Sequence, residues 1–251
     1  MTNLDGKIAI VTGGARDIGR SCAVQLAQQG AKVCINYCNN QQAADETQAI
    51  IAQAGGTSII VKGDMTQKAD VDRLVTEARN AFGNELHILV NNVGGLVARK
   101  KLKEMDEAFL AHVMTLNMTS IFLATQAVVP HMPAGSAIVN LGSLAGRDGG
   151  GAGASAYAAA KGAVMTFTRA MAKELGPQGI RVNGLCPGMI DTTFHDTFTP
   201  DAARRNVEAT VPLRRQGSAE DCGKTVTWMV SDAAAYITGA NIDINGGMAF
   251  S

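Results

Sequence analysis

The stretch Lys7–Gly19 reads KIAIVTGGARDIG. Its first half, Lys7–Thr12, is short, apolar and rich in β-branched residues, as a strand buried on both faces should be. Gly13-Gly14 end it, and Arg20–Gln29 then carries a helical pattern that stops at Gly30. Strand, glycine turn and helix in that order open a βαβ unit. Glycines at such a turn let the backbone approach a pyrophosphate closely, while the helix N-terminus offers free N–H groups and a favourable dipole.

The same alternation continues to the end of the chain. Ala31–Tyr37, Thr57–Lys62, Leu86–Val90, Ala137–Leu141, Ile180–Cys186 and Asn241–Ile244 read as further strands. Gln41–Ala54, Lys68–Phe82, a region near Met105–Pro130, Tyr157–Leu175 and Ala219–Val230 read as helices, and Asp191–Val211 is polar with helical pieces. This predicts one α/β domain over residues 1–251, a doubly wound parallel sheet with helices on both faces. No linker or solenoid repeat interrupts it, and the low-complexity patch Gly149–Gly153 reads as a loop.

Composition narrows the classes. Hydrophobic residues make up 46% and charged residues 18%, ordinary values for a soluble globule, and formal net charge is zero. No basic excess marks a nucleic-acid partner. Arg99-Lys100-Lys101, followed by Lys103, is the longest basic run and reads as a solvated helix start. The five cysteines form no CxxC pair and the four histidines show no ligand spacing, so no metal site is expected. Unpaired thiols, an N-terminus without a basic start and no apolar run approaching a membrane span point to the cytoplasm, with no membrane partner.

Residues 155–161 read SAYAAAK. Tyr157 and Lys161 stand at i and i+4, so both project from one helix face. A phenol is a poor acid or base near neutrality, because its ordinary pKa is about 10, and an ammonium beside it should lower that value toward the working range. Ser143 follows the fifth strand, where a doubly wound sheet presents ligands, and its hydroxyl can donate to a substrate carbonyl oxygen. Taken alone, Tyr157 and Lys161 would be an ordinary half-exposed pair and Ser143 a loop serine; the glycine turn upstream gives them a common purpose.

The motifs T12-G13-G14-A15-R16-D17-I18-G19, Asp64, N91-N92-V93-G94, Asn117, Ser143, Y157-A-A-A-K161 and P187-G188-M-I-D-T192 together resemble the short-chain dehydrogenase/reductase family over nearly the whole length. The resemblance implies a Rossmann-type fold and an NAD(P)-dependent oxidoreductase that interconverts a carbonyl and an alcohol. It implies Asn117, Ser143, Tyr157 and Lys161 as the catalytic set, with a main-chain carbonyl and a water at Asn117 extending a proton path to Lys161. It places Gly13, Arg16, Asp17, Ile18, Gly19, Asn36, Asp64, Met65, Asn91, Gly94, Tyr157, Lys161, Pro187, Gly188, Ile190 and Thr192 at the cofactor. Within that set Asp64 would meet the adenine, Lys161 the nicotinamide ribose and Thr192 the carboxamide. There are departures. Asp17 stands where the family has a glycine, NNVG replaces NNAG, and the spacing from Ser143 to Tyr157 is about one residue longer.

Ile35–Asn40 (INYCNN) holds no carboxylate to grip ribose hydroxyls, and Arg16 can meet a 2′-phosphate; NADP(H) is therefore favoured, with NAD(H) as the alternative. The variable lid, about residues 189–212, carries His195, Asp196, Arg204 and Arg205 beside Phe194 and Phe198, which points to a small polar substrate such as a keto sugar or keto acid. His195 itself reads as a surface residue. The alternative is a 3-oxoacyl thioester on acyl-carrier protein. Its acidic carrier needs a basic dock, and Pro130–Ser136 (PHMPAGS) has no Lys or Arg. A non-catalytic NAD(P) sensor is the remaining reading, one that would not need the proton relay. The resemblance also implies a homotetramer or homodimer built on the helix after Asn117 and the one bearing Tyr157.

Overall fold

A computed structural model describes residues 3–250. Alternate residues of a strand face opposite sides of its sheet, and β1 (Ile8–Val11) is buried throughout because both sides are covered. Ala9 and Val11 enter one hydrophobic layer, and Ile8 and Ile10 enter the other. The remaining sheet strands are β2 (Lys32–Tyr37), β3 (Thr57–Lys62), β4 (Ile88–Asn91), β5 (Ala137–Leu141), β6 (Arg181–Pro187) and, numbered last in the chain, β9 (Asn241–Ile244). They form one parallel sheet in the order β3-β2-β1-β4-β5-β6-β9. The chain winds from β1 to β3 in one direction and returns to β4 on the other side of β1. That reversal opens a crevice at the carboxyl ends of β1 and β4.

The helices divide between the two faces. α1 (Asp17–Gln28), α2 (Gln41–Gln53) and α10 (Ala219–Val230) supply Leu26, Ile51 and Val226 to one layer. α3 (Lys68–Phe82), α5 (Ser120–Val128) and α7 (Ser155–Leu175) supply Leu74, Val128 and Leu175 to the other. Each fully buried aliphatic side chain of this size contributes roughly 1.5–3 kcal/mol. The remaining elements lie near the crevice or lead to it: α4 (Glu107–Met114), α6 (Ala145–Asp148), α8 (Thr193–Phe198), α9 (Asp201–Thr210), and the short parallel pair β7 (Ile190–Asp191) and β8 (Gly217–Ser218).

Three sequence expectations shift. α1 begins at Asp17, three residues before the expected start, so the glycine turn runs straight into the helix. The fourth strand begins at Ile88 rather than Leu86, because the Leu86 N–H donates to the His131 carbonyl instead of to the sheet. The long helical region is α4, a π turn over Thr115–Thr119 and α5, closing at Pro130 in a 3-10 turn. This run, Glu107–His131, is 25 residues with mean hydropathy 1.4 in its most apolar window, enough by length and composition to cross a membrane. The expectation that no segment reaches that length is thereby corrected. In this fold the run packs against sheet and helices through Val113, Asn117, Ile121, Ala124 and Val128. All five cysteines are free, four buried and Cys38 exposed.

Candidate active site

A cavity of about 940 Å³ follows the carboxyl ends of β1, β2, β4, β5 and β6 and is roofed by α8. Its volume lies at the upper end of the range for ligand pockets, roughly 300–1,000 Å³, which suits a long ligand with a second one beside it.

The cofactor end is built on the close approach of α1 to the first loop. A Cβ at Gly19 would collide with the Gly13 carbonyl oxygen, so only glycine lets the helix sit there. The Gly13 N–H is held by the Asn36 side chain at 3.1 Å. Arg16, the residue capping α1, makes no side-chain cap bond, which leaves the first N–H groups of the helix for an anion. Gly13, Arg16, Asp17, Ile18 and Gly19 all line the cavity. A cradle of N–H groups beside glycines fits a dinucleotide pyrophosphate.

Asp17 keeps the backbone of the glycine it replaces, with φ of 51°. Its carboxylate accepts from the Thr193 hydroxyl at 2.5 Å and the Thr193 N–H at 3.3 Å. Arg16 also donates to the Thr193 hydroxyl and lies 3.6 Å from the Asp17 carboxylate. The phosphate loop is thus latched to the first residue of the lid helix. Arg16 is engaged there, and must leave Thr193 and Asp17 to meet a 2′-phosphate.

At the other end, Tyr157, Lys161 and Ser143 line the same cavity. Lys161 is 3% exposed and donates to the Leu141 carbonyl at 2.6 Å. Its Nζ stands 5.8 Å from the Tyr157 ring centre. Burial draws the Lys161 pKa down to about 8. The Tyr157 phenol moves the opposite way from the sequence expectation. Loss of water around it pushes its pKa up, and the Ser143 hydroxyl opposes this only in part. Tyr157 is therefore a neutral phenol, the form that can give a proton.

Asn117 lies off the cavity wall. Its Nδ2 donates to the Gly95 and Val113 carbonyls, and its Oδ1 accepts the Gly95 N–H, each at 2.9 Å. The π turn brings this amide under the Gly94-Gly95 turn. A Cβ on Gly94 would lie 2.6 Å from Asn117 Oδ1 and 3.0 Å from Lys161 Nζ. The Asn117 side chain thus braces the Gly94-Gly95 turn beside Lys161, whose ammonium donates directly to the Leu141 carbonyl.

Of the other expected residues, Gly94, Pro187, Gly188, Ile190 and Thr192 line the cavity. Four do not. Asn36 braces Gly13 from behind and donates to the Gly63 carbonyl at 2.9 Å. Asn91 is buried, donating to Asn140 Oδ1 at 2.8 Å and Thr125 Oγ1 at 3.2 Å. The Asp64 carboxylate accepts from the N–H and hydroxyl of Thr66, and Met65 is buried in the core. Tyr37, Cys38, Asn39 and Asn40, which the sequence marked only as a stretch without a carboxylate and not as site residues, line the wall where β2 ends. Their position after the second strand was the available signal. His195 also lines the cavity rather than facing solvent. Its ring meets Phe194 at 5.0 Å, and burial, reinforced by Arg204 and Arg99, lowers its pKa to about 4.

A dinucleotide cradle with a phenol, an ammonium and a hydroxyl at its far end defines a nicotinamide-dependent oxidoreductase. Residues 13–249 match the family model described as enoyl-(acyl carrier protein) reductase. The chain is 37% identical over 245 residues to the uncharacterized oxidoreductase YgfF of Escherichia coli strain K12, covering 96% of this chain and 99% of that one. It is 36% identical to the 3-oxoacyl-[acyl-carrier-protein] reductase of Synechocystis sp., covering 99% of each. The crystal structure of a short chain dehydrogenase from Burkholderia cenocepacia J2315 in complex with NADP matches with TM-score 0.90 at 33% identity, covering 98% of each chain. The chain belongs to the short-chain dehydrogenase/reductase family and is an NAD(P)-dependent enzyme, which sets aside the reading as a non-catalytic sensor.

Asp17 sets a carboxylate beside the site that receives a pyrophosphate, in a backbone conformation that favours glycine. Removing one like charge at a partly solvated site is worth about 1 kcal/mol. Asp17→Gly should therefore tighten NADPH binding roughly fivefold in a fluorescence titration; unchanged or weaker binding would show that the carboxylate does not oppose the cofactor.

Proposed function

We propose that the protein is an NADP(H)-dependent reductase of a small polar carbonyl compound, sugar-like or a keto acid, and that it also runs the reverse oxidation. The observation that carries this reading is the Tyr157 phenol lining the cavity with Ser143, with the buried Lys161 ammonium 5.8 Å from its ring centre. When bound, the nicotinamide supplies or accepts the hydride. Ser143 donates a hydrogen bond from its hydroxyl to the substrate oxygen, keeping its proton, and stabilises the charge that grows there. Tyr157 gives that oxygen a proton. Lys161, with a pKa near 8, favours the resulting phenolate and passes a proton back toward it. Asn117 holds the Gly94-Gly95 turn that flanks the ammonium.

NADP(H) over NAD(H) is supported by the cavity wall Tyr37–Asn40, which holds no carboxylate to repel a 2′-phosphate, and by the NADP in the Burkholderia structure. A second reading, reduction of a 3-oxoacyl thioester, is favoured by the activity named for the Synechocystis relative. Against it stands Pro130–Ser136, which lacks the cations an acidic carrier protein needs. We place the enzyme in the cytoplasm, where its five free thiols remain reduced. We also assign it a homodimer or homotetramer, because Leu110 and Phe122 of α4 and α5 are 43% and 42% exposed and Phe122 meets Phe167 of α7 edge-on at 6.4 Å.

Two measurements follow from this reading. NADPH oxidation should be seen with keto sugars or keto acids, and NADH should be used less well; a preference for 3-oxoacyl thioesters would reverse the order of the two substrate readings. Light scattering after size exclusion should give two or four times the 26.1 kDa chain mass, and a monomer mass would refute the assembly.

A further inference from the structure

The substrate end of the cavity holds a cation that the proton relay does not use. Arg99 falls in the basic run that the sequence presents as a solvated helix start; it is exposed and also lines the cavity. It follows a strained turn. Val97 has φ of 66°, uncommon for a β-branched residue, in a three-residue turn closed by the Ala98 N–H to the Leu96 carbonyl at 2.8 Å. The turn buries Leu96 and leads into Arg99, whose guanidinium fork spans two walls. Its Nε donates to the Phe198 carbonyl of the lid and its Nη1 to the Ala152 carbonyl of the glycine-rich loop, each at 3.1 Å.

Both partners are neutral carbonyls. Among the described residues Arg99 has no carboxylate partner, because the nearby acids are engaged elsewhere. Arg204 pairs with both Asp191 and Asp196 of the lid. The Asp148 carboxylate, on the same cavity, accepts the Gly150 N–H at 2.8 Å. Two carbonyls fix the orientation of the guanidinium without neutralising its charge, and among the described residues its Nη2 N–H groups have no acceptor. The positive field also reaches His195, which Arg99 and Arg204 help to keep uncharged.

Between Arg99 and the proton donor lies an aromatic wall. The Tyr157 ring stands 6.0 Å from Phe194, and Phe194 stands 5.2 Å from Phe198, whose carbonyl holds Arg99. The cavity thus offers, in order, a proton donor, an apolar face and an unneutralised planar cation. Resting on the reading of this cavity as a carbonyl-reductase site, we propose that Arg99 is its specificity-determining residue. Its guanidinium holds the carboxylate of an anionic keto compound whose body packs on Phe194 and Phe198 while its carbonyl meets Tyr157 and Ser143. The substrate class is therefore the keto acid rather than the neutral sugar. Guanidinium and carboxylate match as planar, two-pronged partners, which an amide cannot reproduce.

The test uses matched pairs, 4-acetylbenzoate with 4-acetylbenzamide and the shorter 4-oxopentanoate with its amide. kcat/KM with NADPH is measured for the wild type, Arg99→Met and Arg99→Lys. The wild type should favour at least one carboxylate over its amide by tenfold or more. Arg99→Met should collapse that ratio to within about twofold, whatever happens to the absolute rates, and Arg99→Lys should retain an intermediate ratio. A purely structural brace would lower both members of a pair alike and leave the ratio in place, which would overturn the proposal. So would a wild-type ratio near one. Calorimetric titration of the protein with NADP⁺ by the same four compounds separates the two claims. Carboxylate-selective binding lost in Arg99→Met, without turnover, upholds the anion site and removes the carbonyl-reductase reading. Turnover without carboxylate preference does the reverse, and no carboxylate-selective binding in either pair overturns the anion site.

Discussion

One buried ammonium organises the active site. Lys161 lies on the inner face of α7, almost fully covered, with its hydrogen bond directed to the Leu141 carbonyl at the end of β5. A charge placed there loses much of its hydration, so the fold must hold it close to polar partners or let it release its proton. Both occur: the carbonyl binds it, and its pKa falls to about 8. The cost of burial is what makes the lysine a usable proton store near neutrality. Tyr157 stands one turn earlier on the same helix and lines the same cavity. Gly94 is part of the same constraint, since any side chain there would press on both Lys161 and Asn117.

The opposite end of the cavity obeys a different constraint, that of close backbone approach. Gly19 lets α1 reach the first loop, and the uncapped helix start supplies N–H groups rather than charge. Asp17 modifies this arrangement by tying the loop to Thr193. The lid is therefore connected to both ligand regions: through Thr193 to the phosphate loop, and through Phe198 to Arg99 at the substrate end.

The parts of this architecture with a repeating physical signature were legible in the sequence. A strand covered on both faces reads as a mostly apolar run, so Ala137–Leu141 lies where it was expected; Asn241–Ile244 also does, as a half-buried edge strand in which polar and apolar residues alternate. The i, i+4 spacing of Tyr157 and Lys161 placed both on one helix face. What the pattern could not carry was direction within a loop or depth within a wall. Asn36 and Asn91 sit at the right strands but act behind the cavity, because alternate strand residues point away from a ligand. The start of α1 was misplaced because Asp17 takes a left-handed backbone that an acidic residue does not announce. Arg99 resembled its neighbours Lys100 and Lys101 in sequence, and only the tertiary contacts with Ala152 and Phe198 separate it from them. The Tyr157 pKa was misjudged for a related reason. Proximity to Lys161 was readable, whereas the loss of water around the phenol depends on the folded cavity.

The central claim is that Tyr157 is the proton donor and that the cofactor cradle forms independently of it. Tyr157→Phe removes one hydroxyl and keeps the ring against Phe194. Its turnover with the best carbonyl substrate, measured beside a direct NADPH titration of the same variant, tests the claim most directly. The account predicts a fall in kcat of about 10²–10⁴-fold, with the NADPH dissociation constant changed by no more than about threefold. Turnover near the wild-type value would contradict it and move the proton donor elsewhere in the cavity.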